Sequence, residues 1–227
     1  RAIESVLGIS FRNGGCFIHN SPRPLEDLSK IKIPDRSKRI WKGYQYYGFT
    51  LDIVESSRGY VMPCNFCSMD KMYGKTFRRF SVERILADIS NAKQQGANFI
   101  LFSDDNFTLD VKGFESLCDA IVDAGHNDIR YIIQASSTGI ASSNTLVEKM
   151  ARAGFRIVFL GIENVSEENL RLMKKGNIIE KTKLAVKRLH EHDIMIVGGM
   201  IIGNPNDKED DIARNYEFFV NLQIDFF

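Results

Sequence analysis

Residues 81–103 read SVERILADISNAKQQGANFILFS. Val82, Ile85, Leu86 and Ile89 recur at three- and four-residue spacing, which draws one apolar stripe along a helix. Ser81 stands where an N-cap is wanted, and Gly96 closes the stretch at the left-handed position that follows a helix. The run NFILFS follows at once, apolar without alternation, as expected of a strand in a parallel sheet covered on both faces. The same unit recurs downstream. KGFESLCDAIVDAG precedes RYIIQAS, NTLVEKMARAG precedes FRIVFLGI, TKLAVKRLHEHD precedes IMIVGGMIIG, and KEDDIARNYEFFVNLQ precedes IDFF. EENLRLMKK adds a short helix, FTLDIVES opens the series, Gly125 and Gly154 close two further helices, and Asn144 is a second expected N-cap. Repeated strand and helix with short connections predicts an α/β protein built on a parallel sheet, doubly wound or barrel-like, with about six strands after residue 48. In both architectures ligands gather at the C-terminal ends of the strands.

Upstream the pattern stops. Pro22, Pro24 and Pro34 lie in one short stretch with the charged run DRSKR at Asp35–Arg39, and proline resists helix and central strand, so residues 1–48 read as an extended, linker-like segment and 49–227 as the folded domain. The opening arginine and the apolar last residues Phe226 and Phe227 suggest a piece of a longer protein.

Composition narrows the function. With 30 Lys and Arg against 29 Asp and Glu in 227 residues, no global charge draws the chain to nucleic acid or an anionic membrane. No stretch approaches the ~20 apolar residues of a membrane span, and no signal-peptide pattern is present, so a cytoplasmic protein is expected. Four cysteines are too few for a disulfide scaffold of this size, and Cys64 and Cys67 form a CxxC in the loop ESSRGYVMPCNFCSM after the first strand. Thiolates at this spacing can reach one metal or cluster from a tight loop. Cys118 lies on the apolar face of FESLCDAIV and reads as core, and Cys16 stands apart.

Other chemistry-bearing residues fall at strand ends. Asp104 and Asp105 end the second strand, where a carboxylate suits a cationic amine or caps the next turn. Gln134 and Ser136 end the third. Glu163 follows an apolar run directly, where an ionised carboxylate is costly unless something binds it. Arg58, Arg78 and Arg79 flank the cysteine loop. His19, His126, His190 and His192 show no ligand spacing, and Tyr216, Phe219 and Val220 read as the core stripe of the last helix.

SRGxxxxCNFCSM after strand one, with SDDNF, GIE and GGMIIG at later strand ends, resembles the radical S-adenosylmethionine superfamily, most of all its members with an N-terminal cobalamin-binding domain. The resemblance extends over the whole chain. It implies a partial (β/α)6 barrel, TIM-like, holding a [4Fe-4S] cluster on a CxxxCxxC motif, with S-adenosylmethionine on the fourth iron cleaved to a 5′-deoxyadenosyl radical. It further implies an electron donor, a small-molecule or lipid-like substrate, and cobalamin held by a further domain. Cys64 and Cys67 match the last two cluster positions, while Tyr60 stands where the first cysteine is expected. A phenol with pKa ~10 is a harder and more reluctant iron ligand than a thiolate. By the same resemblance Phe66 lies against adenine, Asp104, Asp105 and Ser136 face the methionine end, Glu163 meets methionine or ribose, and Gly199, Ile201 and Gly203 receive adenine. Two alternatives are a degenerate S-adenosylmethionine-binding protein without an intact cluster, and an unrelated barrel enzyme holding a divalent ion on Asp104, Asp105 and Glu163.

Overall fold

A computed structural model describes residues 2–41, 43–46 and 48–227. The chain divides into two compact units, Arg1–Lys32 and Ile33–Phe227. The first contains an antiparallel hairpin of β1 (Ser10–Asn13) and β2 (Cys16–His19). Gly14 and Gly15 supply the turn with φ of 55° and 91°, the paired positive values that a two-residue hairpin of right-handed twist requires.

The second unit carries, in chain order, β3 (Gln45–Tyr46), β4 (Phe49–Val54), β5 (Ser57–Arg58), α1 (Met69–Tyr73), β6 (Arg78–Arg79), α2 (Val82–Gln94), β7 (Phe99–Phe102), α3 (Val111–Asp123) and β8 (Arg130–Ser136). It continues with α4 (Ser137–Ala141), α5 (Leu146–Ala153), β9 (Phe155–Glu163), α6 (Glu167–Leu172), α7 (Ile179–His190), β10 (Met195–Met200) and α8 (Glu209–Asn221). The sheet order is β10-β9-β8-β7-β4-β3, parallel from β4 to β10 with β3 antiparallel at the edge. The sheet does not close on itself. The fold is thus α/β around a central parallel sheet, as the repeating pattern predicts, but the sixth run, IDFF, forms only a single bridge from Phe226 to Val197.

The helix ends largely match expectation. Ser81 caps α2 by accepting from the Arg84 amide at 3.3 Å, and Gly96, Gly125 and Gly154 take φ of 90°, 68° and 97°. Asn144 does not cap α5. Thr145 holds that place, and the Asn144 side chain accepts from Arg188 instead.

One face of the sheet packs under the helices. Val54, Ile100, Phe102, Tyr131, Ile133, Val158, Leu160 and Ile196 are buried there, and Phe102, Tyr131 and Phe155 join Phe107 and Phe114 in an aromatic cluster. Cys118 is fully buried, as its place on the stripe of α3 implies. The other face departs from the expectation of two covered faces. Phe49, Leu51, Leu101, Ile132, Ile157 and Met195 line an open apolar trough of about 700 Å³, and Ile53 is 51% exposed. The strand alternation cannot reveal this, because both faces are apolar in composition. The stripe on α8 is likewise narrower than read: Phe219 is buried, while Tyr216 and Val220 are exposed.

The charged run at residues 35–39 is part of the fold. Arg36 is buried and donates to Asp52 at 2.9 Å, Asp88 at 2.6 Å, Asn91 at 3.0 Å and the Ile53 carbonyl at 2.9 Å. Arg39 adds two bonds to Asp52, at 2.8 and 2.6 Å. Burial works to raise the Asp52 pKa, but donation from Arg39, the Ile53 amide and Arg36 outweighs it and holds the carboxyl below its ordinary range. These bonds staple β4 to α2 just before the cysteine loop begins.

Candidate functional site: the strand-end mouth and the cysteine loop

The loop after β4 is shaped by backbone and carboxylate contacts. Asp104, at the end of β7, is buried and accepts from the Ser56 amide at 3.0 Å, the Ser56 hydroxyl at 2.7 Å and the Ser57 hydroxyl. Burial pushes its carboxyl up while these donors act against the rise. Both oxygens are therefore engaged in holding β5 in place. Asp105 remains half-buried, its carboxyl raised by burial and by Glu55. Arg58 pairs with Glu55 at 2.6 Å, and Arg79 with Asp110 at 2.5 Å.

Gly59 explains the SRG motif. At φ 108° a Cβ would lie 2.0 Å from the Thr76 carbonyl oxygen, a collision with backbone that only glycine avoids. Beyond it Tyr60 bridges to Lys75, Cys64 is buried and Cys67 is half-buried. Asn65 docks the CNFC turn onto the end of α6, its amide donating to the Met173 carbonyl at 3.3 Å and its side chain to the Leu172 carbonyl. Phe66 is exposed.

Docking on α6 brings in a residue that the sequence did not single out. Lys174 takes φ 58° just past the helix, with its amide on the Arg171 carbonyl and the Lys175 amide on Leu170, a Schellman ending without the usual glycine. Lys175 is thereby aimed at Glu163, with Nζ to Oε1 at 2.7 Å and both side chains largely buried. Gly161 leaves room for the pair, since a Cβ there would sit 3.0 Å from each of the two charged atoms. The KKG that follows EENLRL was the available signal. A cation beside a positive-φ position ends a helix, but nothing in the sequence says where it points.

The cavity beneath holds about 450 Å³ and is lined by Tyr60, Cys64, Asn106, Thr108, Ser136 and Lys175, among others. Ser136 caps α4 by accepting from the Gly139 amide and bonds the Thr108 hydroxyl, each at 3.0 Å. Gly199 is filled over by the Phe159 ring, whose atoms a Cβ would meet at 3.2 and 3.3 Å, with Glu163 Oε2 at 3.6 Å, and Gly203 at φ 83° borders open space. The Ile201 amide donates to the Glu163 carbonyl at 2.8 Å, so it is not open to a ligand. Gln134 is exposed on β8.

The electrostatics of the loop follow from burial. The Tyr60 phenol is pushed well above its ordinary value, first by burial and then by the neighbouring Cys64 and Cys67. Burial also raises the Cys64 thiol, against the pull of Lys175. A four-iron cluster held by three protein thiolates does not fit this donor set, which offers two thiols and a phenol that resists ionisation. Among the described residues no group of three or more His, Cys, Asp and Glu side chains could hold a metal ion. The divalent-ion alternative on Asp104, Asp105 and Glu163 thus has no assembled site there. Glu163 and Lys175 place opposite charges side by side at the mouth, paired to each other at 2.7 Å.

Comparison with known proteins agrees with this architecture. An uncharacterized methyltransferase of Pyrococcus horikoshii is 30% identical across the whole chain, which covers 49% of it. The bacteriochlorophyllide d C-12(1)-methyltransferase of Chlorobaculum tepidum is 27% identical over 89% of the chain and 44% of its own length. The structure of the methyltransferase TsrM from Kitasatospora setae, with cobalamin and a [4Fe-4S] cluster bound, superposes with TM-score 0.81 at 16% identity over 99% of this chain and 46% of that one. The chain therefore spans about half the length of the relatives it matches, and among the described residues no helix is long and apolar enough to cross a membrane. The model of the radical SAM superfamily matches residues 55–219, from the cysteine loop to the last helix, and the chain belongs to this superfamily of enzymes.

Proposed function

We propose that this chain is the S-adenosylmethionine-binding core of a radical enzyme of the methyltransferase kind. The observation that carries the reading is the Glu163–Lys175 pair, 2.7 Å apart, at the strand ends beside the cavity that Tyr60 and Cys64 line. Opposite charges held together in a half-buried mouth match the amino-acid end of S-adenosylmethionine, and Gly203 leaves space nearby for the nucleoside. Cys64 and Cys67 are the proposed iron ligands. With Tyr60 in the first position the loop holds less than a full cluster, so radical cleavage awaits one more thiolate. Phe66, Asp105 and Ser136 are proposed as secondary contacts around the same mouth, and Asp104 as the brace of the loop.

Methyl transfer to a carbon of a small-molecule or lipid-like substrate is the reaction class proposed by similarity to the named methyltransferases. An electron donor and cobalamin enter through the same similarity. The test is anaerobic iron–sulfur reconstitution of this chain beside its Tyr60→Cys variant, with iron and sulfide counted and S-adenosylmethionine binding measured by equilibrium dialysis. Both proteins should bind S-adenosylmethionine. Only Tyr60→Cys should hold four irons and give a reduced-cluster electron paramagnetic resonance signal that shifts on adding the ligand. Four stable irons and ligand cleavage by the unaltered chain would overturn the account of Tyr60, and a Tyr60→Cys protein without iron would overturn the site.

A further inference from the structure

Glu163 occupies a backbone conformation that glutamate rarely adopts. Its φ is 68°, and the Asn164 amide reaches back to the Ile162 carbonyl at 2.9 Å, closing a γ-turn of the left-handed, strained kind around it. A bulge precedes the turn: Gly161 pairs with Gly199 and Glu163 with Met200, leaving Ile162 as the extra residue. The Glu163 carboxylate lies over the Gly161 position, where a Cβ would come within 3.0 Å of Oε1. Strained residues persist only where their surroundings over-determine them.

Here the surroundings centre on one side chain. Asn164 is 4% exposed, donates from Nδ2 to the Ile201 carbonyl at 3.1 Å and accepts at Oδ1 from the Ser166 amide at 2.8 Å. The Ile201 amide in turn donates to the Glu163 carbonyl at 2.8 Å. Ile201, one residue past β10, is thus held at both its amide and its carbonyl, by the main chain of Glu163 and the side chain of Asn164. Asn169 and Asp207 extend the bonding outward, at 2.7 Å from each other.

We infer that Asn164 is a positioning residue: its clamp on Ile201 holds the γ-turn that presents the Glu163 carboxylate to the ligand in the mouth. This rests on the reading that Glu163 contacts S-adenosylmethionine. Asn164 itself touches no ligand, so its removal should act through Glu163 and not beside it.

A double-mutant cycle on the full chain tests this, with S-adenosylmethionine affinity as one readout and amide hydrogen exchange as the other. Glu163→Gln and Asn164→Ala should each weaken binding roughly tenfold, and the double variant should be no weaker than about either alone, since residues acting through one contact are not additive. The Ile201 amide should exchange faster by about tenfold in Asn164→Ala, whereas Val197 within β10 keeps its rate. If Asn164→Ala folds poorly, Asn164→Ser carries the same test, because a hydroxyl can keep the turn to Ser166 while giving up the reach to Ile201. Wild-type affinity in the Asn164 variants, or a fully additive double variant, overturns the inference. A wild-type chain that binds no S-adenosylmethionine overturns the reading of Glu163 instead, and the Ile201 exchange rate then still decides whether the clamp exists.

Discussion

Removing the Arg36 guanidinium should be the most damaging single change outside the aromatic core. Four acceptors converge on it, two of them carboxylates with side chains only 2% exposed. Each acid keeps one cation after Arg36→Ala, Asp52 through Arg39 and Asp88 through Arg84 at 3.3 Å. Breaking a buried pair costs about 3–5 kcal/mol when the survivor is left uncompensated, so these remaining partners place the loss near about 3 kcal/mol. Arg39 has a side chain 41% exposed, so Arg39→Ala should cost about 1 kcal/mol or less after solvent screening. Arg36→Lys should fall between them, because an ammonium cannot reproduce the fork that serves Asp52, Asp88 and the Ile53 carbonyl at once. Urea titration followed by circular dichroism measures all three, and a constant slope confirms comparable unfolding. At this chain length ~3 kcal/mol corresponds to a melting shift of roughly 6–12 °C. An Arg36→Ala protein within about 1 kcal/mol of wild type, or one no worse than Arg39→Ala, would refute the staple.

Two other outcomes follow from burial. Burial, aided by the nearby Lys93, holds the His126 pKa below its ordinary value, and its Nδ1 is buried without a hydrogen-bond partner. The unfolded chain then binds the extra proton, so stability should fall as pH drops from about 6.5, by at most about 1.4 kcal/mol per unit. His126→Gln should flatten that limb in urea titrations at successive pH, and an unchanged slope would count against the assignment. Alkylation of the native protein followed by mass spectrometry should label exposed Cys16 first and Cys67 next, and leave Cys118 intact until unfolding. Labelling of Cys118 at the rate of Cys16 would contradict the packing of α3.

What could be read in the sequence was mostly local. The α2 stripe, the glycine endings, the buried Cys118 and the strand-end placement of Glu163 all depend on spacing within a few residues. What escaped depends on tertiary distance. Arg36 meets Asp88 across 52 positions, so from sequence DRSKR reads only as part of an extended, linker-like segment. Lys175 faces Glu163 only because a non-glycine Schellman ending and the Asn65 contacts turn it inward. Asp104 was correctly placed at a strand end, yet a carboxylate there can face a ligand or its own loop, and the two neighbouring serines decide for the loop. The backbone of Ile201 was read as a ligand contact, whereas its amide is already bonded to Glu163.

The contacts of Asn65, Asp104 and Gly59 carry a consequence for the folding of the cysteine loop. They hold the cysteine loop through hydrogen bonds and backbone contact. Small metal sites that fold only on binding lose their structure when a ligand is lost. A loop organised in advance behaves differently. With Tyr60 in place it keeps the contacts of Gly59, Asn65 and Asp104. Substitutions within the loop that spare these contacts should therefore leave its form unchanged.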